Sequence, residues 1–68
     1  MKQLNKINKS DFYNNYSLEC KYKNYEIIYC NGCITILKNK SYKAYIQCNK
    51  QLKAFKERVI AYINLILE

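Results

Sequence analysis

The chain contains no histidine, no tryptophan and no proline, and a single glycine, Gly32. Without histidine, the commonest general base and the commonest metal ligand at neutral pH are missing. Hydroxyl side chains of the serine type are scarce (Ser10, Ser17, Ser41, Thr35), and no acid stands at a spacing that suggests an activated nucleophile. These absences argue against an enzyme and imply no cofactor. Arginine is nearly absent as well: Arg58 stands beside eleven lysines, so the charge does not come with bidentate readout of bases. The longest apolar run, Val59 to Leu67, is interrupted by Asn64 and is too short to span a bilayer. The first ten residues are polar and basic and lack the apolar stretch of a secretory signal. A soluble cytoplasmic protein with reduced cysteines is expected, with no membrane partner.

What is present is one small domain of 68 residues. A chain of this size buries only about 60% of the surface its unfolded form exposes, so its core is marginal. Twelve basic residues face five acids, for a net charge of +7. The excess lies upstream: residues 1–56 carry +8 and residues 57–68 carry −1. This rules out an acidic mimic of DNA and favours polyanionic partners. Lys, Asn, Ile and Tyr make up 37 of the 68 residues, and all four have AT-rich codons, so part of the lysine excess reflects coding bias.

Residues 1–15 read as a basic arm, flexible or folded as a short helix on the sheet edge, with a weak apolar stripe of Leu4, Ile7 and Phe12. From Tyr16 the apolar period becomes two. Alternating runs surround Leu18, Cys20 and Tyr22; Tyr25, Ile27 and Tyr29; Ile34 and Ile36; and Tyr42, Ala44, Ile46 and Cys48. Asn31-Gly32 between two of these runs is a strong hairpin signal, because both central residues of the turn need positive φ. Asn49 then suits a helix cap, and Leu52, Phe55, Val59, Tyr62, Ile63 and Ile66 form a helical stripe from about Lys50 to Leu67. The expected class is α+β: a four-stranded antiparallel meander with one C-terminal helix on one face, ββββα, over residues 16–68.

Two-residue turns at Lys23-Asn24 and Asn31-Gly32 and a three-residue turn at Asn39–Ser41 set the register. The core face then collects the alternating residues above, Tyr42 included. The other face collects Glu19, Lys21, Glu26, Ile28, Cys30, Cys33, Thr35, Leu37, Lys43 and Tyr45. Its aliphatic and aromatic centre, Ile28, Leu37 and Tyr45, suits a binding surface. A small sheet also leaves a few apolar residues wet for no functional reason. Lys21, Lys23, Lys38, Lys40 and Lys43 are expected together at one end of the sheet, where they would neutralise phosphates; the bland alternative is a solvated face. Only Tyr45 among eight tyrosines falls mid-sheet on this face, thin support for a stacking platform.

Cys30 and Cys33 resemble half of a zinc knuckle, but Cys20 and Cys48 are not a second close pair, and the register sends them to the opposite face. No metal is expected. Cys30 and Cys33 lie across a turn at a separation a disulfide can span, which leaves a redox module as an alternative. The helix end is apolar nearly all round, so Ile60, Leu65 and Leu67 are expected to form a homodimer interface.

The reading that results is a small basic non-enzymatic binding protein that occupies a nucleic-acid or ribonucleoprotein surface. Size and composition have the general character of phage and mobile-element proteins, many of which block host defence complexes, CRISPR effectors among them. The alternatives are an inhibitor or adaptor that binds a host defence protein through the open sheet face without nucleic acid, and a cysteine-based redox or zinc module.

Overall fold

The computed structural model describes all 68 residues. The architecture is α+β in two layers: a five-stranded mixed sheet with helices on one face. The strands are β1 (Lys2–Gln3), β2 (Ser17–Tyr22), β3 (Tyr25–Cys30), β4 (Cys33–Lys38) and β5 (Ser41–Gln47), in that spatial order. The helices are α1 (Lys9–Tyr13) and α2 (Leu52–Tyr62), the latter continuing as a π-helical turn over Ile63–Leu67.

The four antiparallel strands of the meander are present, but a fifth strand joins them. β1 pairs in parallel with β2, with Lys2 opposite Cys20 and Gln3 opposite Lys21. This corrects the reading of residues 1–15 as a flexible arm, while the short helix given as its alternative is present as α1. Leu4, Ile7 and Phe12 are buried in the core, and α1 carries a reciprocal cap. The Asp11 backbone N–H donates to Asn8 Oδ1 at 2.8 Å, and the Asn8 N–H donates to Asp11 Oδ2 at 3.2 Å. Lys2 Nζ reaches the same carboxylate at 2.9 Å, which holds the Asp11 carboxyl below its usual range. Phe12 stacks near Tyr29 and Phe55, at ring-centroid distances of 4.7 and 5.3 Å. The segment folds because three apolar side chains reach the core from separate short pieces of chain, a 3-10 turn (Leu4–Lys6), the Ile7 that ends it, and α1, so no single period displays them.

Pairing among β2, β3 and β4 follows the expected register: Cys20 opposite Ile27, Ile27 opposite Ile36, and Tyr29 opposite Ile34. The Asn31-Gly32 turn has both residues at positive φ, 50° and 85°. The last hairpin differs. Its turn is two residues, Asn39-Lys40, both left-handed at φ 51° and 64°. The extra residue of the expected three-residue turn is taken up as a β-bulge instead: Leu37 faces Tyr42 while Ile36 faces Ala44, and Lys43 is inserted between. Tyr42 therefore leaves the core face expected for it and is 64% exposed.

The core lies between the sheet and the helices, with Tyr25, Ile27, Ile34, Ile36, Phe55, Val59 and Ile63 at its centre. α2 begins at Leu52, and Asn49 does not cap it. The phenol oxygen of Tyr13 accepts the Leu52 N–H at 3.1 Å, so α1 satisfies a donor at the start of α2. At the other end the Glu68 N–H donates to the Ile63 carbonyl at 3.0 Å, a wider turn than an α-helix makes. The wider turn changes the phase of the stripe. Leu67 packs on the core, and Ile66, expected inside, is 63% exposed. Lys23 pins this end. Its Nζ donates to Asn64 Oδ1 at 2.6 Å and pairs with Glu68 at 3.0 Å, while Asn64 Nδ2 donates to the Tyr22 phenol at 3.1 Å.

Candidate binding face

The side of the sheet away from the helices is uncovered. Strand alternation arranges it in rows across β2 to β5. Glu19, Ile28, Thr35 and Tyr45 form one row, and Lys21, Glu26, Leu37 and Tyr42 the next. Ile28 and Leu37 are half-buried at the centre of these rows. The bulge decides the character of the β5 end. Residues three apart on a regular strand point to opposite faces, but the inserted Lys43 brings Tyr42 and Tyr45 to the same face, opposite Leu37 and Thr35. Tyr45 is 56% exposed. Two tyrosines thus occupy adjacent same-face positions of an edge strand, with the bulged Lys43 between them in sequence, where sequence alternation shows one tyrosine. The missed signal is Asn39-Lys40: a lysine in the position that glycine usually fills hides a tight turn.

The expected lysine cluster is divided. Lys21 lies on the open face opposite Glu26, Lys40 is exposed in the last turn, and Lys43 is exposed at the bulge. Lys23 is turned to the helical side and held by Glu68 and Asn64; the ion pair raises its ammonium above the ordinary lysine value. Lys38 sits over the Tyr25 ring, 5.2 Å from its centroid. A depression of about 550 Å³ at this end of the sheet is lined by Lys21, Lys38, Glu26, Asn24, Asn39 and the first residues of the chain, so Lys21 and Lys38 stay together there. The face as a whole carries Glu19 and Glu26 against Lys21 and Lys43, so it is close to neutral.

Cys30 and Cys33 are paired across the Asn31-Gly32 turn on this face, as half-buried free thiols. The Cys33 thiol beside Tyr45 favours the protonated phenol, which raises that tyrosine above its usual value. Cys20 is in the core, and burial pushes its thiol up to about 12. Cys48 packs on the helical side. No three His, Cys, Asp or Glu side chains come together in a way that could hold a metal ion.

At the helix end, Leu65 and Ile66 are 80% and 63% exposed and Ile60 is partly so. Leu67 is packed inward, which corrects its placement at a surface interface. No helix is long and apolar enough to cross a membrane. No protein-family model, curated protein or solved structure matches the chain.

Proposed function

We propose that the chain is a non-enzymatic binding protein whose open sheet face occupies a single-stranded nucleic acid or the RNA of a ribonucleoprotein. The observation that carries this reading is the bulge that sets Tyr42 and Tyr45 side by side on β5. Sheets that bind single strands present two or three exposed aromatics for bases to stack on. Lys21, Lys40 and Lys43 are unpaired and placed to meet the backbone that such bases carry. A host defence ribonucleoprotein, such as a CRISPR effector, is the target class we put forward. Steric occupation is the mode of action, since the face presents contact residues and no reacting group.

The test is fluorescence anisotropy with labelled single-stranded RNA and DNA oligomers. Stacking is worth about 1–3 kcal/mol per base, so Tyr42→Ala/Tyr45→Ala should weaken binding by at least about tenfold. Three lysine–phosphate contacts should give a log–log salt slope of about −2. Binding unchanged in the double variant would refute the reading.

A second reading is favoured by one observation. The near balance of Glu19 and Glu26 against Lys21 and Lys43 also suits a protein partner on the same face. Such a partner would depend on Ile28 and Leu37 and tolerate salt. Independently, we propose self-association through Ile60, Leu65 and Ile66, with Ile66 in the place first given to Leu67.

A further inference from the structure

Part of the cation excess lies on the helical layer, where the sequence patterns point to no site. A groove of about 550 Å³ runs between α1 and the start of α2. Lys9 stands on one side of it, and Lys53 and Lys56 on the other, with Tyr13 and Leu52 forming the apolar wall between them. Lys53 and Lys56 are three apart on α2 and therefore share a helix face. None of the three lysines is in an ion pair; the only pairs in the molecule are Lys2–Asp11 and Lys23–Glu68. Glu57 is the one acid lining the groove, so the lining keeps a net positive charge.

Tyr13 is the feature that makes this more than a basic surface. Its phenol is tied to the Leu52 N–H at 3.1 Å, and its ring meets Phe12 edge-on at 4.9 Å. It is nevertheless 54% exposed. A ring fixed at its tip and packed against a neighbouring ring, yet more than half exposed, offers a stacking surface with little ordering entropy left to lose. The groove is of a size that holds a small ligand rather than a single ion. We infer that this groove binds a phosphorylated nucleoside, its base against Tyr13 and Leu52 and its phosphates on Lys9, Lys53 and Lys56. The site is on the other side of the sheet from Tyr42 and Tyr45 and does not depend on how that face is used.

The test is an amide NMR titration of the full chain with three probes: ATP, inorganic tripolyphosphate and a thymidine decamer. The expected result is shifts at Tyr13, Leu52, Lys53 and Lys56, with tripolyphosphate at least about tenfold weaker than ATP because it lacks the stacked base. Lys53→Gln/Lys56→Gln should weaken ATP about tenfold. Tyr13→Leu should weaken it similarly, and Tyr13→Phe, which keeps the ring, should retain most of it. ATP alone, the decamer alone, or both acting at these amides supports the site and names the source of its nucleotide. Tripolyphosphate binding as tightly as ATP would overturn it, as would unchanged ATP affinity in the lysine variant or no shift at these amides. Thr35, Tyr42 and Tyr45 amides report the sheet face in the same spectra, so the two sites fail separately.

Discussion

Phe12 tests whether the first fifteen residues belong to the core. It is buried, with ring contacts to Tyr29 and Phe55, and those two rings lie 5.0 Å apart. Phe12→Ala would leave an unfilled space at the centre of that trio. Such truncations cost about 3–5 kcal/mol. A domain this size has about 3–10 kcal/mol in total, so the variant should be near its unfolding midpoint in water. Phe12→Leu keeps most of the volume and should cost about 1 kcal/mol, a fall in Tm of about 4–8 °C. The assay is urea unfolding followed by far-UV circular dichroism, with Tyr16→Ala, at an 85% exposed site, as the neutral control. Unfolding midpoints for both Phe12 variants that match wild type would refute the placement of this segment.

Other consequences follow from the turns, the π-helical end and the titrating groups. Lys40 holds φ at 64°, so Lys40→Gly should stabilise the fold by about 1 kcal/mol, read as a rise in Tm. Leu67→Glu should destabilise by more than about 1 kcal/mol, whereas Leu65→Glu should leave Tm nearly unchanged and, starting from a dimer, halve the light-scattering mass. The Cys20 thiol, at about 12 in the fold and ordinary at 9.0 when unfolded, gives stability that is full below pH 9 and lost as pH rises toward 12. Tm should therefore fall across that window, less so in Cys20→Ala once its own cavity cost is subtracted. Asp11 works in the opposite sense: its lowered carboxyl stabilises above the ordinary value of 3.8, and that contribution should disappear in Tm as pH falls below it.

Some of this was legible in the residues and some was not, for identifiable reasons. The β2–β3–β4 register is readable because each turn has two residues and each strand alternates, so a slip would turn Ile27, Ile34 and Ile36 to water. β1 is too short for any period to show, and it gains its place from the pairing with β2, the Lys2–Asp11 contact and Leu4 and Ile7 behind it. The bulge at Lys43 and the two-residue turn before it leave the total residue count of the hairpin unchanged, so a longer turn and a bulge read alike. That ambiguity hid Tyr42. The π-helical turn hid the exchange of Ile66 and Leu67, since a 3.6-residue period assumes every turn is α. Lys23 stands near the other lysines in sequence and strand register, but Glu68 and Asn64 draw it to the far side.

The most direct test of the sheet-face reading is ultraviolet crosslinking of the full chain to a single-stranded oligomer, with the adduct-bearing peptides mapped by mass spectrometry. Adducts are expected on Tyr42 and Tyr45 of β5, and they should vanish when excess unlabelled oligomer competes. Specific binding with no adduct on β5 would contradict the sheet-face reading.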